Sequence, residues 1–317
     1  NKRNDEALFG YVVGPHSWKK YLYPPKLKLW EAKKNGKSFT VKHNDGNTPR
    51  YAFIGMRSCE ISAMLIHDRV FNNGMFSDSY YNRVRENMFV LGVNCTEAGG
   101  TCFCVSMNTG PKAKSGFDIA ITEITSGGHY FLLEEATAKG KKIAAAAGGT
   151  AATVEQKKAA EDAVKNAADH MGKHIKTEGI KEMLYKNYDS PVWEETAVKC
   201  LSCANCTLVC PTCFCSNVED VTDLTGSHAE RWRKWDSCFN LEYSKVAGGN
   251  FRTTTKARYR QWLTHKFASW IDQFGTSGCT GCGRCITWCP VGIDITETVQ
   301  KIKESQRGAA KPVKISA

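Results

Sequence analysis

The most specific chemical pattern in the sequence consists of eight cysteines in two runs with the same spacing. Each run has the form C-x2-C-x2-C-x3-C and is followed by proline. The first run contains Cys200, Cys203, Cys206 and Cys210, and the second contains Cys279, Cys282, Cys285 and Cys289. This spacing is typical of cysteines that bind a [4Fe–4S] cluster, because thiolates at intervals of three can surround one corner of the cluster. Two runs therefore predict two clusters and a path for single electrons.

The fourth cysteine of each run is expected to bind the cluster of the other run. It precedes Pro211 or Pro290, and a proline cannot continue the local backbone and also restricts the residue before it. In two-cluster ferredoxins the corresponding cysteine binds the other cluster. The predicted ligands are Cys200, Cys203, Cys206 and Cys289 for cluster 1, and Cys279, Cys282, Cys285 and Cys210 for cluster 2. Zinc usually takes two separate CxxC pairs, and a redox CxxC stands alone after a strand, so neither alternative fits.

The N-terminal half contains four further cysteines, which are Cys59, Cys95, Cys102 and Cys104. Cys59 follows a predicted strand and Cys95 ends the next one, so both are expected near one edge of an open sheet, where bound groups usually lie. The alternative is that these cysteines are buried and inert. Four that converge instead predict a third [4Fe–4S] cluster. The remaining cysteines, Cys213, Cys215 and Cys238, make a set of only three and are not assigned to metal.

The elements around these N-terminal cysteines are predicted by hydrophobic periodicity. Apolar runs at 51–56, 88–93, 118–124 and 129–133 predict four strands. Between the first two runs, residues 60–71 carry apolar side chains at close to helical spacing, so the order is strand, helix, strand, which favours a parallel sheet. Gly127 and Gly128 predict a hairpin turn before the last strand. Residues 1–137 are therefore predicted to form an α/β domain that holds the third cluster.

Residues 138–175 are rich in alanine and lysine and are predicted to be a linker or a surface insertion. Thr153 and Gln156 have the spacing of a capping box, which predicts a helix that continues to about His174. His170 and His174 lie one helical turn apart, as in some metal sites, but no third ligand is evident. We expect both histidines to be exposed.

Residues 176–300 are predicted to form a mainly α-helical dicluster ferredoxin domain. Thr255–Phe274 has helical character, and its basic residues are expected on an outer face; they are Lys256, Arg258, Arg260 and Lys266. Basic and aromatic residues together also occur in nucleic-acid-binding proteins, but an amphipathic core helix explains them more simply. Residues 301–317 form a basic tail that is expected to be an extended arm.

Composition limits the class of protein further. The chain has 317 residues, a formal net charge of +11 and 15 cysteines. An odd number of cysteines in a chain of this length, eight of them in metal-binding spacing, favours a reducing cytoplasm over a disulfide scaffold. No apolar run is long enough to predict a membrane span. The basic charge is compatible with bound anionic clusters or with acidic redox partners.

Several segments resemble one known family. They include "CLSCANCTLVCPTCFC" at 200–215, "GCGRCITWCPVGIDIT" at 281–296 and "YYNRVRENMFVLGVNCTEAGGTCFCVSMNTGP" at 80–111. The chain resembles the iron–sulfur β subunit of cytoplasmic NAD(P)-linked [NiFe] hydrogenases of the sulfhydrogenase type, and it is similar to the iron–sulfur subunit of anaerobic sulfite reductase. The resemblance covers roughly residues 12–135 and 190–300. Family members usually have sequence before the position that matches Asn1, so the chain is expected to begin inside a longer one.

The resemblance implies an electron-transfer subunit rather than a catalytic one. Its implied partners are a reductase subunit that binds flavin and NAD(P), and the small and large subunits of a [NiFe] hydrogenase. The sequence has no G-x-G-x-x-G fingerprint and no evident acid–base or nucleophile constellation, so no catalytic residue and no nucleic-acid partner are predicted. Two alternatives are the electron-transfer subunit of an anaerobic sulfite reductase and a free-standing iron–sulfur oxidoreductase that uses the third cluster as its active site.

Overall fold

The computed structural model describes residues 4–44 and 48–309, and within these ranges it contains two four-stranded sheets and a two-stranded ribbon. The strands are β1 Lys26–Asn35, β2 Ser38–His43, β3 Ala52–Arg57, β4 Phe89–Val93, β5 Ile119–Ile124, β6 Tyr130–Glu135, β7 Ser216–Thr222, β8 His228–Trp235, β9 Lys245–Val246 and β10 Gly249–Asn250. The helices are α1 Lys19–Leu22, α2 Ser58–Phe71, α3 Ser79–Glu86, α4 Ala138–Ala146, α5 Val154–Asp169, α6 Ile180–Lys186, α7 Val192–Lys199, α8 Asn205–Leu208, α9 Thr255–Thr264, α10 Trp270–Phe274, α11 Arg284–Thr287 and α12 Ile295–Ala309. A 3-10 turn occupies Leu241–Ser244, and a π-helical turn at His265–Ser269 joins α9 to α10.

The first sheet has the strand order β3-β4-β5-β6 and confirms the α/β prediction for the N-terminal half. β3, β4 and β5 are parallel, and β6 returns antiparallel to β5 after the predicted hairpin turn. Helix α2 follows β3 directly and buries Ile61 and Met64 in a core shared with Tyr81 and Val90. Burial of each large apolar side chain stabilises such a core by about 1.5–3 kcal/mol.

The junction between β3 and α2 fixes the position of Cys59. A carboxylate oxygen of Glu60 accepts the backbone N–H of Arg57 at 3.0 Å, which closes the first turn of the helix. Cys59 is therefore held in the first turn of α2, at the end of a parallel strand. This is the edge at which bound groups lie in open α/β sheets.

The second sheet joins two distant parts of the chain. Its order is β2-β1-β8-β7, and all three pairings are antiparallel. β1 and β2 come from the N-terminal half, whereas β7 and β8 lie between the two cysteine runs. The expectation of a mainly helical C-terminal domain is therefore not confirmed, because residues 216–235 form a β-hairpin. Valine at 218 and 221 and tryptophan at 232 are residue types that favour strands.

The helices of the C-terminal half pack around a core that includes Trp193, Trp262 and Phe267. The predicted helix at 255–274 is present, as α9, the π-helical turn and α10 in succession. Helix α12 continues to Ala309, which differs from the extended arm expected from residue 302, because Val299 and Ile302 extend a buried stripe at helical spacing. The rest of the basic tail, 310–317, lies outside the described residues.

The alanine- and lysine-rich segment forms α4 and α5, which pack on β5 and β6. The predicted capping box is present: Gln156 N–H donates to Thr153 Oγ1 at 3.2 Å, and Thr153 N–H donates to Gln156 Oε1 at 3.0 Å. Helix α5 ends at Asp169, five residues before the predicted end. Ala160 and Ala167 are buried, whereas most of the other side chains of α5 face solvent.

Across residues 4–44 and 48–309, no helix has both the length and the apolar composition that a membrane crossing requires.

Candidate metal centres

The two cysteine runs adopt the same unusual backbone. In the first run, Ser202 and Ala204 have positive φ values of 51° and 62°. In the second run, Gly281 and Gly283 occupy the equivalent positions with φ values of 65° and 72°. Left-handed residues at alternate positions turn the chain back on itself, so that three cysteines of each run can face a common point. In L-residues this conformation costs about 1–2 kcal/mol, whereas glycine adopts it freely.

Backbone N–H groups also point at the first sulfur of each run. Ser202 N–H donates to Cys200 Sγ at 3.4 Å, and Gly281 N–H donates to Cys279 Sγ at 3.4 Å. Each loop then continues into a four-residue helix, α8 or α11, and these two helices contact each other. The chain thus contains an internal structural repeat with N–H donors directed at sulfur, as cluster-binding loops require.

An apolar cavity of about 30 Å³ lies beside the first run and contains cysteines from both runs. Its sulfur-bearing residues include Cys200, Cys203, Cys206 and Cys289, which we call the outer site. Tyr259 and Trp262 close the cavity from the core side. Cys203 is exposed to solvent. The fourth cysteine of the second run therefore lies with the first run, which is the arrangement that the exchange of fourth ligands requires.

The second run lies deeper in the protein, together with the fourth cysteine of the first run. We call this set the central site; it consists of Cys210, Cys279, Cys282 and Cys285. Burial raises the pKa of the Cys285 thiol, and negative charge on the other three members raises it further. Burial likewise raises the pKa of Cys279 to about 12, even though nearby Lys266 opposes the shift. The central thiols therefore lie close together in a poorly solvated region.

Lys266 is a component of the central site that sequence reasoning placed wrongly. It is 2% exposed rather than on the basic outer face, and its Nζ lies 3.1 Å from Cys210 Sγ and 3.4 Å from Cys213 Sγ. Burial opposes its charge, but the adjacent Cys210, Cys213 and Cys279 outweigh burial and raise the pKa of Lys266 well above its ordinary value. The π-helical turn at His265–Ser269 displaces the helical register at this residue, so α-helical spacing gave no signal for it.

The four N-terminal cysteines converge on a second cavity, of about 100 Å³. We call this set the sheet-edge site; it consists of Cys59, Cys95, Cys102 and Cys104. Cys59 comes from α2, Cys95 follows β4, and the other two lie on the loop before β5. Burial raises the pKa of the Cys104 thiol to about 12, and the charges of Cys95 and Cys102 add to the shift. The structure therefore brings together all four residues that were predicted for the third cluster.

Two segments that the sequence did not connect with the site cover this cavity. Residues 9–13, which we call the N-terminal segment, line it, and the Arg57 guanidinium donates to the carbonyl oxygen of Tyr11 at 3.1 Å. On another side, Met171 lies in the stretch that follows α5, with its sulfur 3.9 Å from Cys104 Sγ. The end of the alanine-rich insertion thus forms part of the wall.

The central site lies between the other two. Cys282 lines the cavity of the sheet-edge site, and Cys285 lines the cavity of the outer site. These two residues are three positions apart in one loop and both belong to the central set. The three sets of cysteines therefore form a row, with adjacent sets in direct contact through their walls.

The unassigned cysteines and the two histidines lie apart from these cavities. Cys215 and Cys238 are hydrogen-bonded to each other, and this contact lowers the pKa of Cys215 to about 6 although burial opposes the shift. Cys213 lies against Lys266. His170 and His174 are exposed, as expected. None of these five residues lines the cavity of the outer or the sheet-edge site.

Comparisons with known proteins agree with this arrangement of cysteines. Residues 199–293 match the model of a family described as a 4Fe-4S dicluster domain. The chain is 33% identical over 312 residues to sulfhydrogenase 2 subunit beta of Pyrococcus furiosus, in an alignment that covers 95% of this chain and 86% of that protein. No solved structure matches the chain. Since the identity extends over the sheet-edge region as well as the dicluster region, the chain belongs to the family of iron–sulfur beta subunits of sulfhydrogenase.

Proposed function

We propose that this chain holds three [4Fe–4S] clusters in a row and relays electrons from a reductase subunit that binds flavin and NAD(P) to the small and large subunits of a [NiFe] hydrogenase, or in the reverse direction. The observation that carries the proposal is the position of Cys282 and Cys285, which place one cysteine of the central site on the wall of each neighbouring cavity. When bound, [4Fe–4S] clusters supply one-electron chemistry over a wide range of potentials.

The donor set in each site fits a [4Fe–4S] cluster. We propose the following ligands: Cys200, Cys203, Cys206 and Cys289 for the outer site, Cys279, Cys282, Cys285 and Cys210 for the central site, and Cys59, Cys95, Cys102 and Cys104 for the sheet-edge site. Within the described residues, none of these three sets has the mutual spacing of three or more ligands that would fit a single metal ion. Four thiols around a larger space suit a cluster, since each binds a different iron.

The protein around these sites can balance negative charge and exclude water. Lys266 is buried against the central site, and Arg57 lines the sheet-edge cavity. Tyr259 and Trp262 are buried beside the outer site. Buried cations stabilise anionic groups more strongly than exposed ones do, because the surrounding dielectric is low. The residues present can therefore hold anionic clusters in a poorly solvated interior.

The two ends of the row have exposed apolar residues at which partner subunits could dock. Next to the outer site, Leu201 and Val198 are exposed beside the exposed Cys203. At the sheet-edge site, Tyr11 and Val12 of the N-terminal segment are exposed. Apolar side chains that cluster at a surface often mark protein–protein contacts. We propose that one redox partner binds at each end.

We also propose that the complex acts in the cytoplasm. The support is the state of the cysteines, since all fifteen are free thiols in the structure, and fifteen free thiols suit a reducing compartment.

Anaerobic purification of the full chain followed by iron analysis tests the proposal. About twelve irons per chain are expected, four for each cluster. The chain alone should be reduced by dithionite but should not oxidise NAD(P)H, because it lacks a flavin subunit. The same chain co-purified with its flavin and [NiFe] partners should be reduced by NAD(P)H or by hydrogen. Rapid NAD(P)H oxidation by the flavin-free chain, or about eight irons with no cluster at the sheet edge, would contradict it.

A further inference from the structure

Arg284 connects the central site with the sheet-edge site. It lies between two cysteines of the central site in the loop Cys282–Cys285, and its side chain is 1% exposed. Its Nη2 donates to Glu60 Oε1 at 2.6 Å, and its Nε donates to the carbonyl oxygen of Gly14 at 2.8 Å. Glu60 directly follows Cys59 of the sheet-edge site. The ion pair therefore spans the boundary between the two sites.

The third nitrogen of this guanidinium has no partner in the polypeptide. Nη1 of Arg284 is buried and makes no hydrogen bond within the described residues. Leaving a donor of a charged group unsatisfied is costly, so such a donor calls for a further acceptor. Burial alone would lower the pKa of Arg284, but the charges of Cys282, Glu60 and Cys59 outweigh burial and raise it. The guanidinium is thus charged, close to sulfur from both sites, and has one free N–H group.

We propose that Arg284 is a positioning residue for two clusters, which places a fixed positive charge and a free donor between the central and sheet-edge sites and raises the reduction potentials of both. The inference rests on the proposed function, since it requires clusters at these two sites. Reduction adds negative charge to a cluster, and cluster potentials depend on net charge and on hydrogen bonds to sulfur. Glu60 compensates part of the positive charge, so its removal should raise both potentials further.

A purely structural role for the ion pair would give a different result. Removal of one partner from a buried pair usually destabilises the protein, because the other charge remains buried. Such damage would lower stability or iron content, but it would not move two cluster potentials and leave the third unchanged. The outer site is separated from Arg284 by the central site, so its cluster serves as an internal reference.

The experiment is a redox titration of the cluster-loaded full chain, monitored by electron paramagnetic resonance, with dithionite as the electron donor. Each cluster takes up one electron and Arg284 keeps its proton throughout. Arg284→Gln is expected to shift the one-electron equilibrium of the central and sheet-edge clusters about tenfold toward the oxidised form, which corresponds to about 59 mV. Glu60→Gln is expected to shift both in the opposite direction. Arg284→Lys keeps the charge and should shift them less than Arg284→Gln does.

The matched control is Arg231→Gln, which removes an arginine from an exposed ion pair with Asp220 and should leave all three potentials unchanged. Unchanged potentials in an iron-replete Arg284→Gln chain, or equal shifts of all three clusters, would overturn the inference. If Arg284→Gln loses iron, Glu60→Gln decides: a rise at the two sites supports the inference and no change overturns it. If the wild-type chain holds only about eight irons, the third cluster of the proposed function fails, and the central cluster alone decides on Arg284.

Discussion

Ala204 and Gly283 occupy equivalent positions in the two cysteine loops and share a left-handed backbone, with φ values of 62° and 72°. At Gly283 a Cβ would lie 2.4 Å from the carbonyl oxygen of Thr101, in the loop that carries two cysteines of the sheet-edge site. The second loop thus packs backbone against backbone on the α/β half. Ala204, in contrast, already carries a Cβ and is only half-buried.

The first prediction contrasts these two positions. Gly283→Ala should reduce iron from about twelve to about four per chain, because the new Cβ separates the loops of the central and sheet-edge sites, in addition to a backbone strain of about 1–2 kcal/mol. Ala204→Gly should retain all of the iron, since glycine adopts the same φ without strain. Iron analysis after anaerobic purification checks both. Full iron in Gly283→Ala would show that this contact is dispensable.

The second prediction concerns the exchange of fourth ligands. Cys289→Ser should remove or convert the outer cluster, although Cys289 belongs to the second run, because it lines the same cavity as Cys203. Cys210→Ser should in turn affect the central cluster. Electron paramagnetic resonance spectra identify the cluster by comparison: Cys289→Ser should lack the same signal as Cys203→Ser, and Cys210→Ser the same signal as Cys282→Ser. The reverse matching would reject the exchange.

The third prediction tests the sheet-edge cluster. Cys102→Ser should lower the iron content by about four atoms per chain or leave a three-iron cluster, while the signals of the other two clusters persist. The matched control is Cys238→Ser, which alters a buried cysteine that lines neither cavity and should retain all of the iron. Equal losses in the two variants would mean that the effect reflects general destabilisation.

The fourth prediction concerns the N-terminal segment over the sheet-edge cavity. The Glu123 carboxylate accepts the N–H groups of Leu8 and Phe9, each at 2.7 Å. Burial favours the neutral acid, but these two donors and His129 lower the pKa of Glu123 below its ordinary value of 4.5. Because the folded pKa is lowered, this stabilisation is present above pH 4.5 and is lost as the pH falls through the folded value.

Glu123→Gln should therefore release the segment at neutral pH. Hydrogen bonds to a charged acceptor contribute about 1.5–3 kcal/mol, so the amides of Leu8 and Phe9 should exchange at least about tenfold faster, as measured by hydrogen exchange and mass spectrometry. In the wild type, chelator attack on the sheet-edge cluster should accelerate only below pH 4.5. The exposed Glu135 provides the control, since Glu135→Gln should change neither rate. Unaltered exchange in Glu123→Gln would disprove the anchoring role.

Local patterns in the sequence were sufficient to predict the α/β half and the positions of its cysteines. The apolar runs that became β3, β4, β5 and β6 are short and bounded by turns, and the helical spacing of Ile61 and Met64 is unambiguous. Strand ends in a parallel sheet share one edge, so the order of strands and helix was enough to place Cys59 and Cys95 together. The structure agrees because the connection between these strands is a single crossover.

Features that depend on long-range contacts could not be predicted in this way. β2 is exposed along its whole length and has no buried face to give an alternating signal. Its neighbour β1 finds its second partner, β8, far along the chain. Lys266 sits in a π-helical turn, where the α-helical period no longer assigns side chains to faces. Met171 reaches the sheet-edge cavity only through the packing of α5, which hydrophobic periodicity does not specify.

The pairing of β1 with β8 has a consequence for biosynthesis. Lys28 and Glu230 form an ion pair between these strands although they are 202 residues apart. Translation proceeds at about 5–20 residues per second, so the β1–β2 hairpin leaves the ribosome about 10–40 s before its partner strand. During that interval it presents an unpaired edge, on which nascent chains can pair with one another. We therefore expect the newly made chain to depend on a chaperone that shields this edge until β8 has been synthesised.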